Sequence, residues 1–405
     1  MNAIARPGTN DEPAGHSGGR KFLRIALVTE TYPPEINGVA MTLGRMVEGL
    51  SHRGHQIQLV RPRQESDTGT SRSNGIEHAL VRGIPIPRYD SLKLGLPAGG
   101  RLRRLWSERR PDVVHIATEG PLGWSALSAA RDLDLPVTTD FHTNFHSYSN
   151  HYGFGWLATG VAAYLRGFHN RAGCTLVPTE GMRSTLAEQG FRDLKVVARG
   201  VDTALFHPGR RSPALRARWG AEPGDAVVVY VGRLAPEKNL PLVVRTFEAM
   251  RAAEPRARLV LVGDGPARNA LEAGNRGYVF AGMRRGEDLA AHYASGDIFL
   301  FPSTTETYGN VTMEAMASGL PVVAYEYAAA EEHIRSGLNG LTAPLDDDEA
   351  FQRQALTLIR DSAYAAELGR RARQTAERID WEQVYDALER ALRDTMEARN
   401  GHAAA

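Results

Sequence analysis

The chain has 405 residues, 42% of them hydrophobic and 23% charged, with a formal net charge of +1. That length exceeds what one hydrophobic core usually serves and predicts two domains. The near-neutral balance excludes a general nucleic-acid binder, whose phosphate contacts need a basic excess, and the single Cys174 excludes an internal disulfide and suits a reducing compartment.

In chain order, residues 1–20 are polar, rich in Gly and Pro, and read as a disordered tail. They hold no apolar stretch of signal-peptide length, and no run in the chain approaches the roughly 20 apolar residues that span a bilayer. The expectation is a cytoplasmic protein, at most peripheral at the inner face of a membrane. "FLRIALVTE" is the first strand; after the loop "TYPPEING", Val39, Leu43, Met46, Val47 and Leu50 recur at helical spacing. "QIQLV" (56–60), "DVVHIA" (112–117), "PVTTDF" (136–141) and "CTLVPT" (174–179) follow as strands, with helical material between them and Cys174 as a buried strand residue. Between the strands at 56–60 and 112–117 lies "GGRLRRLWSERR", where Arg101, Arg103, Arg104, Arg109 and Arg110 crowd around Leu102, Leu105 and Trp106. It reads either as a solvated helix face or as a basic amphipathic helix on anionic lipid heads.

The strand–helix rhythm pauses over "RGVDTALFHPGRRSP" and restarts after Asp225 with "AVVVYVG", "RLVLVG", "YVFAG", "IFLFPS" and "PVVAY". Two such ladders predict two α/β domains, each with a mostly parallel sheet covered on both faces. Ligands in such sheets bind outside the carboxyl ends of the strands, so the loops there are the places to look for chemistry. The acidic run "LDDDEA" (345–350) reads as a helix start, where carboxylates complement the macrodipole, rather than as a metal site. His142, His146 and His151 contain a pair spaced four apart, but His142 follows a strand directly, so a metal-binding helix face is not indicated.

The segment with most chemistry is "FPSTTETYGNVTMEAMASGLPVVA" (301–324), a strand, loop, helix and strand. Glu306 sits in the loop and Glu314 on the helix, while Tyr308, Gly309, Asn310 and Val311 occupy the turn where the helix starts. Free amides there suit phosphate oxygens, and a glycine permits close approach. Taken alone, the two glutamates equally suit the surface of a capped helix. The wording of the segment resembles the Glu-x7-Glu signature of family 4 glycosyltransferases, which are retaining enzymes. Their GT-B fold is α/β, two Rossmann-like doubly wound domains facing a central cleft. The resemblance implies that Glu306 lies by the donor sugar and that Glu314 binds the nucleotide ribose.

Further segments carry the same resemblance. "VYVGRLAPEKNLPLVV" (229–244) on its own would read as a solvated basic loop; it resembles the family's Gly-Arg-x4-Lys, which implies that Arg233 and Lys238 hold the donor diphosphate. Preorganised cations stabilise the charge that builds on a leaving diphosphate, so no metal and no other cofactor is expected. Gly263 and Gly265 form a tight turn after a strand. Gly282 and Met283 resemble the place where the base is read through backbone groups, with a packed core methionine as the competing reading. Gly38 corresponds to a close backbone approach to the diphosphate and sugar; many members have two glycines there, and this chain has Asn37-Gly38. His142 resembles the strand-end histidine that reaches the donor sugar.

The resemblance implies a domain plan of 1–20 (tail), 21–203 (acceptor-side domain), 204–378 (nucleotide-sugar domain) and 379–405, a C-terminal helix crossing back to the first domain. It implies transfer of a hexose, first mannose from GDP-mannose and second glucose or sulfoquinovose from a UDP-sugar. A lipid or glycolipid acceptor is expected from likeness to phosphatidylinositol mannosyltransferases and to enzymes that glycosylate diacylglycerol lipids; a soluble or polysaccharide acceptor is the alternative. The five arginines of 101–110 would then face an anionic membrane, and nucleic acid is not an expected partner. Readings from other classes are a nucleotide-sugar 2-epimerase and a non-catalytic sugar-nucleotide-binding protein.

Overall fold

The computed structural model describes residues 22–35, 37–65, 67, 72–73, 75–86, 89–142 and 155–404. The first half contributes β1 (Arg24–Val28), β2 (Gln56–Pro62), β3 (Arg72–Ser73), β4 (Ile76–Val81), β5 (Gly83–Ile86), β6 (Tyr89–Gly95), β7 (Val113–Ile116), β8 (Val137–Asp140), β9 (Cys174–Val177) and β10 (Leu194–Val196). Eight of them form a sheet in the order β10-β9-β8-β7-β1-β2-β4-β3, parallel except for the terminal β3–β4 pair. β5 and β6 form a separate antiparallel ribbon.

The second half contributes β11 (Val227–Val231), β12 (Arg258–Val262), β13 (Val279–Gly282), β14 (Ile298–Phe301), β15 (Val322–Tyr325) and β16 (Leu341–Ala343). They pair in parallel in the order β13-β12-β11-β14-β15-β16. Every residue of "VVVYV", "IFLF" and "VVAY" is buried, as a strand covered by helices on both faces requires.

Both sheets reverse direction once, between β1 and β7 and between β11 and β14. Such reversal points part the helices above and below the sheet and open a crevice at the strand ends. The loops after β1, β11 and β14 therefore lead to Gly38, to Arg233 and Lys238, and to Glu306.

The Trp381–Ala404 helix follows the second sheet in sequence but packs on the first. Its Val384, Leu388 and Leu392 share a buried cluster with Leu27 of β1 and Leu43 and Met46 of the Gly38–His52 helix. Arg53 fastens it there, binding Glu382, Asp386 and Glu389 on one helical face at 2.6, 2.7 and 2.9 Å. Where the chain crosses between the sheets, the two passes touch: Val201 N donates to the Ile379 carbonyl, and Arg373 donates to the carbonyls of Thr203, Phe206 and Ala317.

The run "LDDDEA" does begin a helix: Asp347 caps Asp348–Arg360 by accepting from Ala350 N at 2.8 Å. β3, β4, β5, β6, β10 and β16 have no counterpart among the strands expected from sequence. His146 and His151 lie outside the described residues.

Candidate active site

The loop after β11 holds Arg233 and Lys238. Lys238 Nζ lies 2.5 Å from Glu306 Oε1, so a cation and a carboxylate from two different strand ends meet at one point. Ser303 Oγ donates to the same Glu306 oxygen at 2.8 Å, and the Tyr327 hydroxyl donates to the Glu306 carbonyl at 2.7 Å. The Thr305 hydroxyl donates to the Glu237 carbonyl, lacing the two loops together. Arg233 is more open and pairs with Glu237 at 3.3 Å.

Glu306 leads through Tyr308 and Gly309 to the Asn310–Ala317 helix. Gly309 has φ 90° and ψ 62°, a left-handed geometry that favours glycine, and it turns the chain into the helix. Asn310 and Val311 open the first turn, whose amides have no carbonyl one turn back to bind. Tyr308 points away from this opening. Its ring is buried, and its hydroxyl donates to the Arg199 carbonyl and contacts His333 Nε2, both at 2.9 Å. Only its backbone is left for a ligand at the turn.

Glu314 lies on the same helix, half-buried, with Oε2 accepting from the Tyr293 hydroxyl at 2.8 Å. Burial pushes its carboxyl from 4.5 up to about 7, a rise that the tyrosine hydrogen bond partly offsets.

Across the opening stands Gly38, the first residue of the Gly38–His52 helix. Asn37 caps that helix by accepting from Ala40 N at 2.8 Å. A Cβ placed on Gly38 would lie 3.7 Å from Asn310 Nδ2, so this turn of the first domain sits directly against the helix start of the second. His142, just beyond β8, is largely enclosed. Its Nε2 lies 3.2 Å from Asp140 Oδ2, and its Nδ1 is 3.1 Å from an Arg199 guanidinium nitrogen.

Gly263, in the tight turn after β12, and Gly282, expected where the base is read, are of two kinds. Gly263 has φ 132°, and a Cβ there would lie 2.0 Å from the Gly232 carbonyl oxygen; its N–H donates to Gly282 O. It is required for the packing of the β11 and β12 loops on each other. Gly282 is freer, with φ 72°; a Cβ placed on it would meet only the Arg268 guanidinium, at 3.3 Å. Met283 is 49% exposed, which overturns the packed-core alternative for it.

Comparison with known proteins gives the family. A family model described as Glycosyltransferase Family 4 matches residues 36–205, and one described as Glycosyl transferases group 1 matches residues 225–361. The GDP-mannose-dependent alpha-mannosyltransferase of Mycobacterium tuberculosis is 35% identical over 331 residues, covering 81% of this chain and 85% of that protein. The chain belongs to glycosyltransferase family 4.

Other relatives of this family 4 enzyme include the sulfoquinovosyl transferase of Arabidopsis thaliana, 34% identical over 88% of this chain and 71% of that protein. Among solved structures, sucrose-phosphate synthase of Thermosynechococcus elongatus superposes with a TM-score of 0.74 at 19% identity, covering 95% of this chain and 100% of that one. HepE of Anabaena in complex with UDP-glucose gives 0.71 at 20% identity, covering 92% and 100%. These likenesses establish the GT-B fold.

The site also contains residues of the transferase that the sequence reading passed over. Asp140 is two positions before His142 at a strand end, where alternate residues share a face, and that spacing was the available signal. Ser303 and Tyr327 support Glu306, and Arg199 reaches His142 from the crossing between domains; no local pattern marks them.

Proposed function

We propose that this glycosyltransferase is a retaining enzyme that transfers mannose from GDP-mannose to a lipid acceptor. The observation that carries the reading is the convergence of Lys238, Glu306 and the Gly309–Asn310 helix start, faced by Gly38 of the other domain. The diphosphate would lie between Arg233, Lys238 and that helix start, with the ribose on Glu314 and the sugar between Glu306 and His142. The two cations and the helix start provide positive charge where the leaving diphosphate becomes more negative, and this chemistry asks for no metal. The acceptor hydroxyl attacks the anomeric carbon on the face the diphosphate leaves; a diphosphate oxygen takes its proton, and the configuration is retained. A double displacement would need a carboxylate nucleophile beneath the ring. Glu306 is held against Lys238 instead.

Mannose is the first choice because relatives named as GDP-mannose-dependent alpha-mannosyltransferases are 35%, 32% and 33% identical to the chain over most of its length. A UDP-sugar is the second reading, favoured by the sulfoquinovosyl transferase and by the alpha-monoglucosyldiacylglycerol synthase of Streptococcus pneumoniae, 26% identical over 316 residues. The name of the Streptococcus pneumoniae enzyme also supports a lipid acceptor. Thermal denaturation with GDP-mannose, UDP-glucose and UDP-galactose separates the donors: a selective rise in Tm with GDP-mannose is expected. A rise with UDP-sugars alone would move the donor to the second reading.

Contact with a membrane would run through charge. The Gly99–Glu108 helix buries Leu102 and Trp106 in the first domain, with Trp106 Nε1 donating to Gln58, so its apolar face is turned inward. Arg103 pairs with Asp132 and Arg109 with Glu77, while Arg110 donates to the carbonyls of Leu133 and Asp134. Among the described residues, Arg101 and Arg104 are the exposed cations of this helix with no ion pair of their own, left to meet anionic headgroups. Replacing both by Gln should at least halve sedimentation with phosphatidylglycerol vesicles at low salt. Unchanged sedimentation would make this a solvated face.

A further inference from the structure

Arg199 lies where the chain first crosses from one domain to the other and is only 5% exposed. Its guanidinium Nη2 donates to His142 Nδ1 at 3.1 Å, and Nη1 meets the Met46 sulfur at 4.0 Å. Among the described residues no carboxylate pairs with it directly. The nearest compensating charge is reached through an imidazole: His142 Nε2 lies 3.2 Å from Asp140 Oδ2, and His115 Nε2 approaches the same oxygen at 3.5 Å. Asp140 is itself 1% exposed.

The order of these groups decides where the proton of His142 resides. A guanidinium can only donate, so Nδ1 must be the bare, accepting nitrogen. The ring proton is then on Nε2, the nitrogen 3.2 Å from Asp140 Oδ2, close enough for charge attraction though not aligned for a hydrogen bond. A second proton on Nδ1 would set two donors against each other beside a buried cation. The string Asp140–His142–Arg199 thus holds one negative charge, one neutral ring and one positive charge. Deleting either end leaves an uncompensated buried charge.

The backbone of the same arginine faces the other domain. Its carbonyl accepts from the Tyr308 hydroxyl, and Tyr308 immediately precedes Gly309, which starts the helix assigned to the diphosphate. One residue therefore joins the β8 strand end to the phosphate helix.

We propose that Arg199 is a positioning residue: it fixes His142 as the neutral Nε2–H tautomer and ties that ring, through Tyr308, to the helix that begins at Gly309. The proposal rests on the reading of His142 as a donor-sugar contact. Burial lowers the His142 pKa, in the same direction as the geometry. Among the described residues, the charged and titratable groups around the ring are Asp140 on β8, His115 on β7, Glu119 beyond β7, His169 on the Gly155–His169 helix, and Arg199.

The test is nitrogen NMR of the full chain labelled with [15N]histidine, with His142 identified as the signal lost in His142→Gln. Expected is an Nε2–H ring whose protonation lies below that of an ordinary imidazole, as its burial requires. In Arg199→Met the Nδ1 signal should shift and the ring should become a tautomer mixture or titrate at higher pH; Arg199→Lys, which still supplies one donor, should keep the wild-type tautomer. In kinetics, Arg199→Met should lose about tenfold or more in kcat with donor KM within about threefold, and Arg199→Lys should recover most of it. An Nδ1–H ring in the wild type, or ring signals unmoved by Arg199→Met, would overturn the proposal. If Arg199→Met does not fold, the wild-type tautomer and its retention in Arg199→Lys decide. Full activity in His142→Ala would remove the sugar-contact reading while leaving the tautomer result standing, so the two failures are distinguishable.

Discussion

Lys238 and Glu306 occupy the centre of the site, and their pairing at 2.5 Å shows how the free enzyme holds its charges before a donor arrives. A diphosphate entering there would meet a cation already in place, so Lys238 should act most as the leaving group gains charge. Lys238→Ala should reduce kcat by about 100-fold while changing donor KM less than tenfold, measured by initial rates with saturating acceptor. A change confined to KM would show a role in binding alone. Glu314 carries a pH signature. Its carboxyl is raised from 4.5 to about 7 in the folded protein, so folding takes up a proton in that interval. The stability this group contributes is fully present below about pH 4.5 and is lost as pH rises through about 7. The free Glu314→Gln protein should therefore match the wild type near pH 4 and exceed it by up to about 3 kcal/mol near pH 8, read from urea unfolding. A difference independent of pH would contradict the raised carboxyl.

At the scale of elements, the loops after β11 and β12 are interlocked through glycines. Gly263→Ala would drive a Cβ to 2.0 Å from the Gly232 oxygen at φ 132°, a clash of backbone on side chain. It should cost about 3 kcal/mol or prevent folding, whereas Gly282→Ala, facing the movable Arg268 side chain, should cost about 1 kcal/mol. Similar urea midpoints for the two variants would remove the distinction between a packing glycine and an open one. The same elements show what a sequence reveals. β11, β14 and β15 are legible because strands covered on both faces are continuous apolar runs, and Glu306, Gly309 and Glu314 are legible because they stand in one contiguous segment. β4 is not: "IEHALV" is buried only at Ile76, Leu80 and Val81, so no period of two or continuous run marks it. Asp140 has only its spacing from His142 to mark it, and Arg199 works across 57 residues of chain, a distance at which no local pattern operates.

At the scale of the whole molecule, two sheets present their reversal points to each other, and the chain crosses between them at Val201 and again at Ile379. The first crossing carries Arg199. Motion of one domain on the other must therefore strain the Tyr308 and His142 contacts that this residue makes. The final helix adds to the core of the first domain, so the two halves share their stability. The measurement that tests the central claim most directly is proton NMR of the reaction of the purified protein with GDP-mannose and diacylglycerol glycolipid vesicles, with UDP-glucose in a parallel reaction. Expected is an α-linked mannosyl lipid formed from GDP-mannose with release of GDP, and its loss in Lys238→Ala. A β-linked product, or an altered nucleotide-sugar with no new glycosidic bond, would contradict retaining transfer.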